Sequence, residues 1–308
     1  MKLVFLDTKT LGSDINLEGF NKFGEVVKYE TTSQDQILER VKEADIVITN
    51  KVVIDKNIMA NSNIKLICIA ATGMNNVDLE YAKEANIVVK NVAGYSTSSV
   101  AQVTISLVLD FIQHLDYYSN YTKTNQWENS DIFTHIEKPF FELEGKKWGI
   151  IGLGSIGQKV AHIAQAFGCE VLYYSTSGKN TNTQYKNVSL EELLKESDVI
   201  SIHCALTPAT SNLLNKSNLE LLKDKSILVN VGRGGIINEE DLVEVFKKKN
   251  FCCALDVVET EPIAKNSILN EILHDDKFII TPHIAWASIE ARNKLINLII
   301  KNIDEFVL

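Results

Sequence analysis

Three glycines, Gly152, Gly154 and Gly157, stand where an apolar run beginning at Trp148 gives way to an amphipathic stretch reaching Phe167, and residues 170–175 then read as a second strand. A strand, a GxGxxG turn, a helix and another strand, in that order, suit the pyrophosphate of a dinucleotide. Gly152 makes the tight turn, Gly154 lets the backbone approach the phosphates, and Gly157 lets the helix pack closely on the strand. The helix start adds free N–H groups and the positive end of the helix dipole. A glycine-rich turn without a ligand is the plainer account, and the flanking strands count against it. The NAD fingerprint carries an acid about 20 residues beyond the glycines, on the adenosine ribose. Here the second strand ends Tyr174-Ser175-Thr176-Ser177, with Lys179 just beyond and no acid. Neutral hydroxyls and a lysine accommodate a 2′-phosphate, which tilts the choice slightly toward NADP and leaves NAD open.

Three further stretches carry reactive side chains. Arginine occurs only at positions 40, 233 and 292, against a large excess of lysine, and Arg233 stands one glycine past the apolar run 227–231. Keeping arginine there suggests a need for its planar, two-pronged donor; the plainer account is a surface cation. The segment ALDVVETEP, 254–262, places Asp256, Glu259 and Glu261 beyond another apolar run, either as solvated acids or as partners of a base. In TPHIAW, 281–286, His283 stands at the mouth of the last strand. A lone histidine is more often structural, but this strand should end in the same cleft as the other two. Reduction of a 2-oxo acid by hydride needs a cation for the carboxylate, a proton donor for the developing alkoxide and an anion that keeps the donor protonated. Arginine, histidine and glutamate supply these in turn, and a carboxylate beside imidazole favours the imidazolium.

The elements that must position these residues alternate along the chain. Strands are expected at 2–7, 25–29, 45–50, 65–70 and 87–91, with helices at 34–43 and 79–85. Near-continuous apolar strands between helices indicate a parallel sheet covered on both faces. Residues 96–115 read as one long helix leading out of this first domain. Residues 120–144 then lose periodicity around Trp127, Phe133, Phe140 and Phe141, and such a segment is expected to pack on a second subunit. Past the glycine loop, strands at 198–204, 227–231, 252–257 and 278–280 alternate with helices at 190–196, 219–222 and 241–248. A closing helix at 287–306 is expected to return to the first domain, leaving a cleft for cofactor and substrate between two α/β domains.

Composition sets the outer bounds. A chain of 308 residues exceeds what one core usually serves, so two domains are the default. The net charge of −9 and pI near 5.3 argue against nucleic acid and anionic membrane as partners, though a local basic pocket for an anionic substrate stays open. The cysteines at 68, 169, 204, 252 and 253 lie in apolar runs with no CxxC pair and no histidine at ligand spacing. They read as reduced, buried thiols of a cytoplasmic protein with no metal site. The opening MKLVFLD reads as a strand, not a signal peptide, and no apolar run is long enough to span a bilayer.

The order GLGSIG (152–157), HCALTPAT (203–210), NVGRGG (230–235), ALDVVETEP and TPHIAW resembles the D-isomer-specific 2-hydroxyacid dehydrogenase family over nearly the whole chain. ATGMNNVD (71–78) and NVAGYSTSSVAQ (91–102) add to the likeness, which is strongest to the hydroxypyruvate reductase and glycerate dehydrogenase group. The resemblance implies an α/β chain of two doubly wound parallel-sheet domains, with a Rossmann-type coenzyme domain (101–283) inserted into a flavodoxin-like substrate domain (1–100 and 284–308). It implies a homodimer that moves hydride between NAD or NADP and a small 2-oxo or D-2-hydroxy acid such as hydroxypyruvate or glyoxylate. Alternatives are a D-lactate dehydrogenase preferring pyruvate and a non-catalytic, dinucleotide-sensing corepressor-like protein.

The resemblance also assigns residues. Arg233 would bind the substrate carboxylate and polarise its carbonyl, His283 would be the acid in reduction and base in oxidation, and Glu261, which directly precedes Pro262, would hydrogen-bond His283. Thr72, Gly73 and Met74 match the loop whose amides hold the substrate carboxylate. Ser155 and Ile156 match the pyrophosphate amides beside Gly152, Gly154 and Gly157, and Ser175 the ribose position. Ala205, Leu206, Pro208 and Thr210 fit the adenine side, while Val231, Asp256 and Thr104 fit the nicotinamide side. His203 and Cys204 read as structural.

Overall fold

A computed structural model covers residues 1–308. The chain divides into two compact units, Met1–Ser96 with Trp286–Leu308, and Thr97–Ala285. These boundaries lie a few residues from 100/101 and 283/284, because the first falls at the start of a long helix instead of within it.

The first unit is built on five parallel strands: β1 (Lys2–Phe5), β2 (Glu25–Lys28), β3 (Ile46–Thr49), β4 (Leu66–Ile69) and β5 (Val88–Lys90), in the order 2-1-3-4-5. Side chains alternate across the sheet. Leu3, Phe5, Ile46 and Ile48 meet Leu295, Ile296, Ile299 and Ile303 of the closing helix Ile289–Val307, so both ends of the chain share one core. Each of those four helix side chains contributes roughly 1.5–3 kcal/mol on burial. Val4, Leu6, Val47 and Ile67 face the other way, toward α1 (Ile37–Val41), α2 (Lys56–Ala60) and α3 (Leu79–Glu84). The helix expected at 34–43 is shorter: Gln34–Gln36 form a 3₁₀ turn with a Ser33–Gln36 capping box before α1 begins. At the point where the strand order reverses, between β1 and β3, the buried carboxylate of Asp7 accepts the amides of Asn50 (2.9 Å) and Lys51 (2.8 Å) and the Thr49 hydroxyl (3.2 Å).

The second unit opens with α4 (Thr97–Gln113) and α5 (Leu115–Lys123). One continuous helix over 96–115 was the expectation; instead His114 takes a left-handed conformation (φ 48°, ψ 39°) and breaks it. Residues 124–146 hold no regular element and expose Phe133 (88%), Ile136 (73%) and Ile132 (62%). Then follow β6 (Lys147–Ile151), α6 (Ser155–Ala166), β7 (Glu170–Tyr174), β8 (Lys186–Asn187), α7 (Leu190–Glu196), β9 (Val199–Ile202), α8 (Lys216–Leu219), β10 (Ile227–Asn230), α9 (Glu239–Phe246), β11 (Cys252–Leu255) and β12 (Phe278–Ile280). The seven strands are all parallel, ordered 12-11-10-9-6-7-8, a Rossmann-type arrangement whose reversal lies between β6 and β9. Leu193, Leu219, Leu242 and Phe246 cover one face of this sheet, packed on Ile200, Ile202, Leu228 and Leu255.

Register fixes the functional edge. Tyr174, Ile151, Ile202, Asn230, Leu255 and Ile280 pair in one row across β7, β6, β9, β10, β11 and β12, and each is the last residue of its strand. Neighbouring strands lie about 4.8 Å apart. Ser175, Gly152, His203, Val231, Asp256 and Thr281 therefore begin six loops side by side, at the carboxyl edge where doubly wound sheets bind ligands. The chain is α/β, two doubly wound parallel sheets, with the Rossmann-type unit inserted into a flavodoxin-like one.

Candidate active site

At the reversal point each glycine of the loop meets a different demand. Gly152 has φ +91°, and a Cβ there would lie 2.8 Å from the backbone nitrogen of Cys204, so no side chain fits. A Cβ on Gly157 would stand 2.4 Å from the Gly152 carbonyl oxygen, which is how α6 approaches the strand so closely. Gly154 faces open space and is the N-cap of α6. The caps of α2, α3, α7, α8 and α9 (Asp55, Asp78, Ser189, Asn215, Asn238) accept a helix amide with their side chains. Gly154 cannot, so the first amides of α6, from Ser155 and Ile156 onward, stay available to an anion. The residues present fit a dinucleotide pyrophosphate.

Beyond β7, Ser175 and Thr176 are half-buried while Ser177 and Lys179 are exposed, and no carboxylate stands among them. The Ser175 hydroxyl accepts the Asn180 amide at 3.3 Å, and the Asn180 side chain donates to the Leu153 carbonyl at 2.8 Å, closing this loop onto the glycine turn.

Arg233 lies three residues past the end of β10, half-buried, its Nη1 donating to the Gly232 carbonyl at 2.8 Å. The turn is shaped by Asn230, the buried last residue of β10. Its Nδ2 donates to the Arg233 carbonyl (2.9 Å) and its Oδ1 accepts the Gly232 amide (3.0 Å).

His283 lies three residues past the end of β12, and its Nδ1 is 2.7 Å from Glu261 Oε2. A carboxylate can only accept, so Nδ1 carries the hydrogen and Nε2 is left to exchange a proton with a substrate. Glu261 Oε1 also accepts the Val258 amide at 3.3 Å. The backbone of His283 is left-handed (φ +52°), a conformation costing of order 1–3 kcal/mol unless neighbours hold it. Asp256 does the holding. Its Oδ1 accepts the Thr281 hydroxyl (2.5 Å) and the Ile284 amide (2.9 Å), and its Oδ2 the Ala285 amide (2.9 Å), so one carboxylate grips both shoulders of His283.

Some expected contacts look different in three dimensions. Asp256, expected on the nicotinamide side, is 1% exposed, with its carboxylate bonded within the protein. Thr210, expected on the adenine side, is likewise buried; its hydroxyl donates to the Ala205 carbonyl (2.7 Å) and accepts the Thr207 amide (2.7 Å), which shapes the loop. Thr104 is fully buried, and its hydroxyl donates to the Val100 carbonyl in its own helix. Ala205, Leu206 and Pro208 are exposed, Leu206 lying 3.8 Å from a Cβ built on Gly235, and Val231 is buried. In the first unit Thr72 is exposed and its carbonyl accepts from Asn91 Nδ2 at 2.6 Å, Gly73 is half-buried, and the side chain of Met74 packs into the core, leaving its backbone for any ligand.

His203 has its Nε2 2.9 Å from Ser201 Oγ, which in turn accepts from Trp148 Nε1 at 2.9 Å. Burial holds this imidazole well below its ordinary range, at about 3. Burial also pushes the Cys68 thiol up to about 12 and the thiols of Cys169, Cys204 and Cys252 to about 11. All five cysteines are free, and Cys252 alone is only half-buried. No helix is long and apolar enough to cross a membrane. Sequence reasoning missed the braces Asn230 and Thr281; the only signal was a polar residue at the end of an apolar run.

Residues 105–285 match the family described as D-isomer specific 2-hydroxyacid dehydrogenase, NAD binding domain. The whole chain is 39% identical to hydroxypyruvate reductase of Blautia hydrogenotrophica, spanning 97% of that protein. It is 34% identical to glycerate dehydrogenase of Methylorubrum extorquens over 99% of this chain and 96% of that one. Among solved structures, D-lactate dehydrogenase from Aquifex aeolicus complexed with NAD and lactic acid superposes with a TM-score of 0.83 at 26% identity, covering 100% of this chain and 95% of that one. Fold, carboxyl-edge residues and sequence agree: the chain belongs to the D-isomer specific 2-hydroxyacid dehydrogenase family.

Proposed function

We propose that the protein reduces a small 2-oxo acid to the D-2-hydroxy acid, with hydroxypyruvate or glyoxylate as substrate. The single observation that carries this reading is the 2.7 Å Glu261–His283 pair, on the same sheet edge as Arg233 and the uncapped helix beyond Gly154. Bound NAD(P)H supplies the hydride. The chain does the rest. The Arg233 guanidinium grips the substrate carboxylate and draws electron density from the adjacent carbonyl. As the carbonyl oxygen gains charge, His283 Nε2–H hands it a proton, and Glu261 stabilises the imidazolium beforehand through Nδ1–H. In oxidation the same nitrogen takes the proton back.

The names of the relatives support hydroxypyruvate, and the absence of an acid around Ser175 supports use of NADPH alongside NADH. The exposed apolar segment around Phe133 and Ile136 supports a homodimer, the net charge of −9 speaks against nucleic acid, and the free buried thiols suit the cytoplasm. Initial rates with NADH and NADPH against hydroxypyruvate, glyoxylate, pyruvate and phosphohydroxypyruvate test the proposal. Arg233→Ala or His283→Ala should abolish turnover while coenzyme still binds. Full activity in either variant would remove the assignment. Coenzyme binding with no turnover on any acid would favour a sensor.

A further inference from the structure

Glu239 opens α9, and its place in the first turn beside Glu240 and Asp241 has an ordinary explanation in the helix dipole. The three acids nevertheless do different things. Glu240 is exposed, and Asp241 accepts the Lys216 amide at 2.9 Å. Glu239 is half-buried, and its Oε1 accepts the backbone amide of Glu259, 20 residues further on, at 2.7 Å. Burial, with the charge of Glu259 added, pushes its carboxyl above the usual range, against the lowering by that amide. A surface acid serving only the dipole has no need to be drawn inward.

The peptide that Glu239 holds joins the two halves of the site. A Cβ built on Gly234 would lie 1.9 Å from the Val258 carbonyl oxygen and 2.6 Å from the Glu259 nitrogen, so the Arg233 turn rests directly on the Val258–Glu259 peptide. The preceding amide, that of Val258, donates to Glu261 Oε1 at 3.3 Å. Glu261 Oε2 then faces His283 Nδ1. One peptide unit is thus supported by Gly234, tethered by Glu239, and followed within three residues by the acid that orients the proton donor.

We infer that Glu239 is a positioning residue of the dehydrogenase site: by fixing the Glu259 amide it aims Glu261 at His283 and sets both relative to Arg233. The inference rests on the reading of that site as catalytic.

The test compares Glu239→Ala, Glu239→Asp and Glu239→Gln with Glu240→Ala in the full chain, using the 2-oxo acid on which the unaltered protein is most active. Ala removes the acceptor, Asp keeps the charge but withdraws the carboxylate from the amide, and Gln keeps an acceptor at the same reach. Ala and Asp should lower kcat by about 10- to 100-fold, the penalty typical of small misplacements of reacting groups. The KM for coenzyme should not change, so the loss falls on kcat alone, as expected when reacting groups are misaligned and coenzyme binding is left intact. Gln should restore most of kcat, and Glu240→Ala, which removes an exposed acid of the same turn, should match the unaltered protein. Wild-type kcat in Glu239→Asp, a matching rise in the KM for coenzyme, or equal impairment of Gln and Asp, would overturn the inference. If Ala fails to fold, Asp and Gln still decide. An unaltered protein with no turnover on any 2-oxo acid would instead sink the catalytic reading beneath it.

Discussion

Asp256 holds the amide of Ala285 at 2.9 Å, two residues beyond His283, while its other oxygen takes the Thr281 hydroxyl two residues before it. Removing the carboxylate in Asp256→Ala leaves two amides and a hydroxyl without this acceptor around a left-handed His283. A buried donor left unmet costs about 1–3 kcal/mol. Thermal unfolding should show a clearly lowered midpoint, and turnover should fall by about 10- to 100-fold as His283 drifts. A variant with unchanged midpoint and rate would show that the loop is held by something else.

Glu261→Gln keeps an oxygen for the His283 Nδ1–H but removes the negative charge. The amide can also turn its NH2 toward Nδ1, so the ring is held less firmly. Turnover in both directions should fall by about 10- to 100-fold with the KM for coenzyme unchanged. Initial rates in both directions check this, and an unchanged kcat would show that the pair does not align the ring.

Coenzyme choice can be tested at two side chains beyond β7. Lys179→Ala should raise the KM for NADPH by about tenfold, the loss of one charge-assisted hydrogen bond, with little effect on NADH. Ser175→Asp should do more, because a carboxylate at the end of β7 repels a 2′-phosphate while accepting the ribose hydroxyls. Preference measured as the ratio of kcat/KM values should swing toward NADH.

Paired Phe133→Asp and Ile136→Asp substitutions place charges on side chains that are 88% and 73% exposed in the single chain. Light scattering should report about twice the chain mass of 34.5 kDa for the unaltered protein and a single-chain mass for the variant. Equal masses for both would exclude this segment as the subunit contact.

Acid stability reports on His203. Its imidazole stays neutral in the fold down to about 3, whereas the unfolded chain takes up a proton near the ordinary 6.5. Between those values the unfolded state binds the extra proton, so stability is intact above 6.5 and declines as the pH falls. The slope is about 1.4 kcal/mol per pH unit. From pH 7 to pH 5 the unaltered protein should lose about 2 kcal/mol more than His203→Gln, measured by urea titration.

The glycine loop was legible because each glycine answers a local backbone demand between elements that announce themselves by periodicity. The Glu261–His283 pairing was readable because motif order placed both past strand ends, and parallel register brings strand ends together. Burial was not readable. Nothing in the motifs told that the side chains of Thr104, Thr210 and Asp256 are buried and bonded within the protein. Nor did any local signal mark the tether from Glu239 to Glu259, which exists only because the loops after β10 and β11 emerge side by side. The break at His114 went unforeseen for a related reason: no glycine or proline marks it.

The carboxylate of Asp7 draws the amides of Asn50 and Lys51 toward itself at the crevice where a flavodoxin-like sheet would otherwise receive a phosphate. The first sheet thus carries a self-quenched anion receptor. The two architecturally similar sheets thus differ at their points of reversal: the first offers amides already taken by an acid of its own chain, the second a helix start that no side chain caps.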